Sequence, residues 1–86
     1  MTALQTCLAA LAAAAAKTPG EAKALSIDAI ERFAAGGPPE EAPARLQTLA
    51  DGYDALKLEG AVAVLVRDAI ARRIALLEGE GSSPAA

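Results

Sequence analysis

Apolar residues recur at helical spacing from the start of the chain. In the first segment they form a narrow stripe on an alanine background, at Leu4, Cys7, Leu8, Leu11 and Ala15. Spacings of three and four residues place these side chains on one face of an α-helix. Thr2, with Gln5 three positions later, fits a capping box. The sequence therefore predicts a first helix over about residues 2–16.

A second helix is predicted between two strong boundary signals. Thr18 and Glu21 form another capping box, and Pro19 falls at the first helical position, where its missing N–H costs nothing. The apolar face that follows carries Leu25, Ala29, Ile30 and Phe33. Two glycines and two prolines at residues 36–39 end the pattern. We expect this helix to span about residues 19–35.

The third predicted helix is long, and its continuity is open. Glu40 and Glu41 place negative charge at its start, and the pattern then stays helical over about residues 42–78. Gly52 and Gly60 each cost about 1 kcal/mol relative to alanine inside a helix. A kink or short break within residues 51–60 therefore competes with one continuous helix.

These elements predict an all-α fold of one domain over residues 1–78. We expect an antiparallel helical hairpin or a small three-helix bundle with a long C-terminal helix, either continuous or kinked. Residues 79–86 are rich in small and polar residues and are predicted to be a flexible tail.

Alanine supplies 24 of the 86 residues, which changes the meaning of a hydrophobic content of 53%. Alanine is the best helix former but buries little apolar surface. Small chains with few large apolar residues often complete their core through oligomerisation. We therefore expect a homo- or hetero-oligomer with a protein partner.

The end of the third helix is the predicted partner surface. A continuous helix of about 35 residues would span about 50 Å, twice the length of the second helix. Residues 62–66 are apolar all round, as expected for a helix packed on more than one side. Ordinary bundle core remains the alternative. The predicted partner-binding residues are Val62, Leu65, Val66, Ala69, Ile70, Ile74 and Leu77.

Residues that carry enzymatic or metal chemistry are scarce. The chain has no histidine, and Cys7, its one cysteine, lies among leucines, as a buried inert thiol would. We predict no catalytic residues, no cofactor and no metal site. Asp68 and Arg72 are four residues apart and predict a surface ion pair.

Charge and hydropathy limit the partners and the location. A net charge of −3 with scattered basic residues argues against nucleic acid. No apolar stretch is long enough to span a membrane. A secretory signal would require a basic residue before its apolar stretch, and no basic residue precedes Lys17. We therefore expect a cytoplasmic protein.

One short string resembles acyl carrier proteins. Residues 26–31, Ser-Ile-Asp-Ala-Ile-Glu, are similar to the segment whose serine bears phosphopantetheine in that family. The resemblance implies that Ser26 would carry the arm. Leu25 stands where the family has aspartate, and Thr18 places Ser26 two turns inside a helix. We therefore interpret Ser26 as a residue on the solvent face.

A second resemblance covers residues 19–77. Leu58-Glu59-Gly60-Ala61-Val62-Ala63-Val64-Leu65 is similar to the small chaperone subunits of the type III secretion needle system. Pro39-Glu40-Glu41-Ala42-Pro43 and the Arg67-Asp68 pair resemble the needle subunits. This likeness implies a helical hairpin that sheathes another helical protein, without catalytic residues. A secretion co-chaperone is the sharpest hypothesis. The alternatives are a small regulatory or phage-type structural subunit and, last, a degenerate acyl-carrier-like protein that uses Ser26.

Overall fold

Within residues 2–81, which a computed structural model describes, the chain forms four α-helices and no strand. Side chains are described for residues 2–79. The helices are α1 (Ala3–Ala14), α2 (Pro19–Ala34), α3 (Ala42–Ala55) and α4 (Ala61–Gly81), with a 3-10 helix at Pro39–Glu41. The predicted all-α fold is confirmed.

Both predicted capping sites start helices. The backbone N–H of Gln5 donates to Thr2 Oγ1 at 3.1 Å, and the Thr2 N–H donates to Gln5 Oε1 at 3.0 Å. At the start of α2, the Glu21 N–H donates to Thr18 Oγ1 at 3.4 Å. These bonds satisfy N–H groups that have no partner within the helix. The prediction that Thr18 caps the second helix is confirmed.

The predicted third helix is two helices, so the continuous span of residues 42–78 is wrong and the alternative, a break within residues 51–60, is correct. Between α3 and α4, Lys57 has φ of 53° and Gly60 has φ of 106°. Such values do not fit an α-helix, whose residues all have negative φ. The helix α4 also runs on to Gly81, so residues 79–81 are not the predicted tail. The rest of that tail, residues 82–86, lies outside the described residues.

The loop between α3 and α4 is held by bonds between the two helices. The Tyr53 hydroxyl donates to the Ala63 carbonyl oxygen at 2.8 Å. Arg67 contacts Asp54 through two hydrogen bonds, of 2.7 and 3.2 Å. Burial raises the pKa of Tyr53; Asp54 adds to this effect and Arg67 opposes it. These contacts fold α4 back against α3.

Arg45 closes the turn between α2 and α3. Its Nη1 donates to the Pro38 carbonyl oxygen at 3.0 Å, and its Nη2 donates to the carbonyl oxygen of Ala34. A cation favours the negative C-terminal end of a helix. A Cβ atom at Gly37 would lie 2.8 Å from Arg45 Nη1, so glycine leaves the space that the guanidinium needs.

All four helices contribute to one core, in which alanine has a larger part than expected. Six of the fourteen buried apolar residues within residues 2–79 are alanines, and Ala14, Ala22 and Ala50 have no exposed surface. Small side chains allow helices to approach closely. A similar approach occurs at Gly52, where an added Cβ would lie 3.0 Å from Leu8 Cδ1. The chain therefore packs a core of its own with few large side chains.

Candidate interaction surface

The predicted partner stripe of α4 lies on its inner face. Val66 and Ile70 are 0% exposed and belong to the core of the chain itself. The other predicted residues are partly buried against that core: Val62, Leu65, Ala69, Ile74 and Leu77. Because the chain breaks before α4, this helix folds back and packs on α2 and α3. We therefore revise the candidate surface, since Val66 and Ile70 are closed to a partner while the chain is folded.

Large apolar side chains are exposed on the opposite, outer face of α4. Val64 is 62% exposed and Leu76 is 59% exposed, the highest values among the large apolar side chains of the described residues. On the neighbouring helix α2, Ile27 is 46% exposed. These residues were not predicted as a group, because helical spacing does not tell which side of an apolar segment turns inward.

A groove between α2 and α4, here called the α2–α4 groove, connects these exposed side chains. It encloses about 530 Å³. Its apolar walls include Ile27 from α2 and Val64, Leu65 and Leu76 from α4. An open apolar groove between two helices is a common place for a ligand or a partner helix.

Charged side chains border the α2–α4 groove. Arg73 Nε lies 2.7 Å from Glu31 Oε1, an ion pair that joins α4 to α2. Asp68 and Arg72 also line the groove. The predicted ion pair between them is absent, and neither side chain forms another ion pair within residues 2–79. Within residues 2–79, the groove therefore presents one acid, Asp68, and two bases, Lys23 and Arg72, that form no ion pair.

A second groove lies between α1 and α2 and encloses about 520 Å³. Leu25, which is 46% exposed, and Phe33 line its α2 wall. Cys7 lies in this groove but is only 6% exposed, and its thiol contacts the Ala29 carbonyl oxygen at 3.5 Å. Desolvation raises the pKa of the Cys7 thiol to about 11, which keeps it protonated at neutral pH. This environment supports the interpretation of Cys7 as an unreactive thiol.

Ser26 is buried, so its predicted place on the solvent face is wrong. It is 0% exposed and stands one turn from Ala22 and one turn from Ile30, which are also buried. Its Oγ has no hydrogen-bond partner among the described residues. A phosphopantetheine arm could not reach this oxygen without displacing α2. The acyl-carrier hypothesis therefore gains no support from the structure.

The described residues contain no candidate metal cluster and no helix that could span a membrane. No group of three or more His, Cys, Asp and Glu side chains in this part of the chain could hold a metal ion. None of the helices described is long and apolar enough to cross a membrane.

A scan against protein-family models, a search of curated proteins and a search of solved structures each found no match to this chain. The resemblance to the type III secretion needle system therefore stays a prediction from the sequence. What the geometry defines is an all-α bundle with an apolar groove open between α2 and α4.

Proposed function

We propose that this chain is a non-enzymatic interaction protein that binds a helix of another protein chain in the α2–α4 groove. The observation that carries the proposal is the exposure of Val64 and Leu76, at 62% and 59%, in one groove with Ile27. Apolar surface gains about 25 cal/mol per Å² when it leaves water. Exposed apolar side chains that line one groove therefore mark a surface that a partner would stabilise.

The shape of the groove favours a helix as the bound element. Its longer wall is α4, a helix of 21 residues, and its other wall is α2. An amphipathic helix can place its apolar side chains, spaced three and four residues apart, in a groove of this kind. The charges of Lys23, Asp68 and Arg72 at the same groove would fix the orientation of that helix.

The nucleophile candidates of the chain lie away from reactive positions, which supports a function without catalysis. Cys7 is in the other groove, with a pKa raised by burial, and Ser26 is buried on the core-facing side of α2. The carboxylate in the α2–α4 groove, Asp68, stands beside cations and apolar side chains without a neighbouring nucleophile or histidine. Binding is the simplest use of such a surface.

A secretion co-chaperone is the sharpest form of this proposal. Such a protein would cover the apolar face of a client helix, which is what the resemblance to the needle system implies. A small regulatory subunit or a phage-type structural subunit would use the same groove for a permanent contact. The identity of the bound chain separates these alternatives.

The test compares two substitutions on opposite sides of α2. Ile27 lines the α2–α4 groove and Leu25 lines the α1–α2 groove, and each is 46% exposed. Ile27→Asp would place a charge in the proposed contact, whereas Leu25→Asp is the matched control. Native mass spectrometry of the tagged protein, purified from cells that also express its neighbouring genes, reports the bound chain.

We expect the original protein and Leu25→Asp to carry a stoichiometric protein partner that Ile27→Asp has lost. Loss of the partner in Leu25→Asp alone would place the contact in the α1–α2 groove and contradict the proposal. If neither the original protein nor Leu25→Asp carries a partner chain, and circular dichroism shows that all variants are folded, the proposal is overturned.

A further inference from the structure

We infer that the occupant of the α2–α4 groove is a second copy of this chain, paired through the outer face of α4. The two α4 helices would run antiparallel about a twofold axis near Ile70. This inference rests on the proposed function, because it names the partner of the same groove. It is carried by the order of apolar and charged residues along the exposed side of α4.

Two charged residues lie opposite the buried side of α4. Successive residues turn by about 100° around an α-helix, so Asp68 and Arg72 lie about 160° and 200° from Ile70. Ile70 is fully buried, and both charged residues line the α2–α4 groove. Their side chains therefore occupy the middle of the outer face.

The sequence around Ile70 is self-complementary in the antiparallel direction. When two antiparallel helices meet at the level of Ile70, a residue before Ile70 in one copy is level with the residue equally far after Ile70 in the other copy. Asp68, two residues before, is then level with Arg72 of the second copy. Val64, six residues before, is level with Leu76 of the second copy. The twofold axis repeats each relation, giving two pairs of opposite charges at the centre and apolar side chains at both ends.

The same residues disfavour a parallel pair. In a parallel pair, Asp68 would face the Asp68 of the second copy and Arg72 would face its Arg72, and like charges side by side repel each other. Neither residue has an ion-pair partner in its own chain among the described residues, so both are available to the second copy. Charge complementarity therefore selects the antiparallel orientation and its register.

The remaining outer positions of α4 allow the helices to approach. Ala61, Ala71 and Ala75 carry only methyl groups, and small side chains permit interaxial distances near the lower end of about 8–10 Å. Leu65 and Leu76 lie on the side of α4 nearest the groove, where Ile27 adds apolar surface from α2. The pair would thus cover the most exposed large apolar side chains of the described chain.

The test reverses the two central charges, separately and together. Asp68→Arg leaves two positive charges on the outer face, and Arg72→Asp leaves two negative charges, so each variant alone should lose self-association. Sedimentation equilibrium between about 1 and about 100 μM measures this loss. An equimolar mixture of the two variants restores opposite charges at both central levels and should form a one-to-one heterodimer, which native mass spectrometry separates by mass.

Two controls keep the result specific. The double variant Asp68→Arg/Arg72→Asp exchanges the charges and should regain the homodimer. Glu40→Arg changes the net charge by the same amount as Asp68→Arg, but lies in the exposed 3-10 helix away from the groove, and should associate like the original protein. Circular dichroism confirms that every variant is folded.

Self-association that is unchanged in both single variants would overturn pairing through α4. If the single variants dissociate and neither their mixture nor the double variant regains association, the antiparallel register is overturned. If the original protein is monomeric up to about 100 μM, pairing with a second copy is overturned. The proposed function then still stands if the protein binds a different chain and the Ile27→Asp variant does not. If the protein binds no chain at all, both the proposed function and the pairing are overturned.

Discussion

The two sides of α4 carry similar residues and have opposite environments. On the inner side, Val66 and Ile70 are completely buried between α2 and α3. On the outer side, Val64 and Leu76 are more than half exposed. Val64 and Val66 have the same side chain two positions apart, so residue type does not explain the difference. It arises from the rotation of α4 about its own axis when it docks.

The contacts that set this rotation lie near the start of α4. The hydrogen bond from Tyr53 to Ala63 and the ion pair between Asp54 and Arg67 connect the first turns of α4 to α3. Farther along, Arg73 pairs with Glu31 of α2. These polar contacts thus fix the rotation of α4 and determine which of its apolar residues face the core. The account predicts that inner substitutions affect folding, whereas outer substitutions affect association.

The largest expected effect is at the centre of the inner side. Ile70→Asp would bury an unpaired charge in the core and should lower the free energy of unfolding by about 4 kcal/mol or more, enough to unfold a small domain. Val64→Asp should change it by about 0.5 kcal/mol or less, since the position is exposed. Urea unfolding followed by circular dichroism measures both variants.

This comparison also revises an expectation from the sequence. A partner surface centred on Val66 and Ile70 implies that aspartate at either position would abolish association and leave helicity. Their burial now predicts loss of the fold. A folded Ile70→Asp variant with a normal urea midpoint would contradict the packing of α4 described here.

A smaller effect is expected in the loop that directs α4. Gly60 has φ of 106°, which residues with a Cβ rarely adopt. Gly60→Ala should therefore lower the free energy of unfolding by about 1–2 kcal/mol. Lys57 has φ of 53°, and Lys57→Gly should be neutral or slightly stabilising, because glycine has no steric cost there. Thermal unfolding of the two variants provides the comparison, and equal destabilisation by both would count against this loop.

The effect of the Tyr53 hydroxyl should be smaller again. Tyr53→Phe removes the hydrogen bond to the Ala63 carbonyl oxygen, and we expect a loss of about 1 kcal/mol. Asp54→Asn, which weakens the exposed pair with Arg67, should cost less than that. The urea midpoints of the two variants rank these contacts. A larger loss from Asp54→Asn would mean that the ion pair, and not the hydroxyl, holds α4 in place.

The last expected effect concerns the second groove and not the stability of the fold. Because burial raises the pKa of the Cys7 thiol from 9.0 to about 11, the folded chain should have about a hundredfold less thiolate than the unfolded chain at pH 8. Alkylation in buffer should be slower than in urea by at least that factor. The protection should persist below pH 9 and fall as the pH rises toward 11. Equal rates in buffer and in urea would show that Cys7 is not desolvated.

Much of the fold follows from local sequence signals. Thr2 and Thr18 begin α1 and α2 as predicted, because a side-chain oxygen at the N-cap satisfies specific N–H groups nearby. The glycines and prolines of residues 36–39 end the second helix for equally local reasons. Such signals depend on a few adjacent residues and can be recognised without the tertiary structure.

Other features depend on contacts between distant residues and could not be predicted. The glycines at positions 52 and 60 left a break within residues 51–60 open, but lysine is not a typical residue for positive φ, so the sequence did not show that the chain turns at Lys57. Ser26 is buried because its face of α2 packs on the core, although its side chain is polar. The division of the apolar α4 segment into an inner and an outer side required the docked helix. The candidate surface therefore came from the structure, whereas the expectation of a partner came from composition.

The central claim is that the outer side of α4 is a surface for self-association. Thermal unfolding of the original protein and of Leu76→Asp, from about 1 to about 100 μM, tests it most directly. We predict that the midpoint of the original protein rises by about 5 °C or more over this range, because binding stabilises the folded state. The midpoint of Leu76→Asp should stay constant, near that of the diluted original. A constant midpoint for the original protein, with monomeric sedimentation at the highest concentration, would contradict the claim.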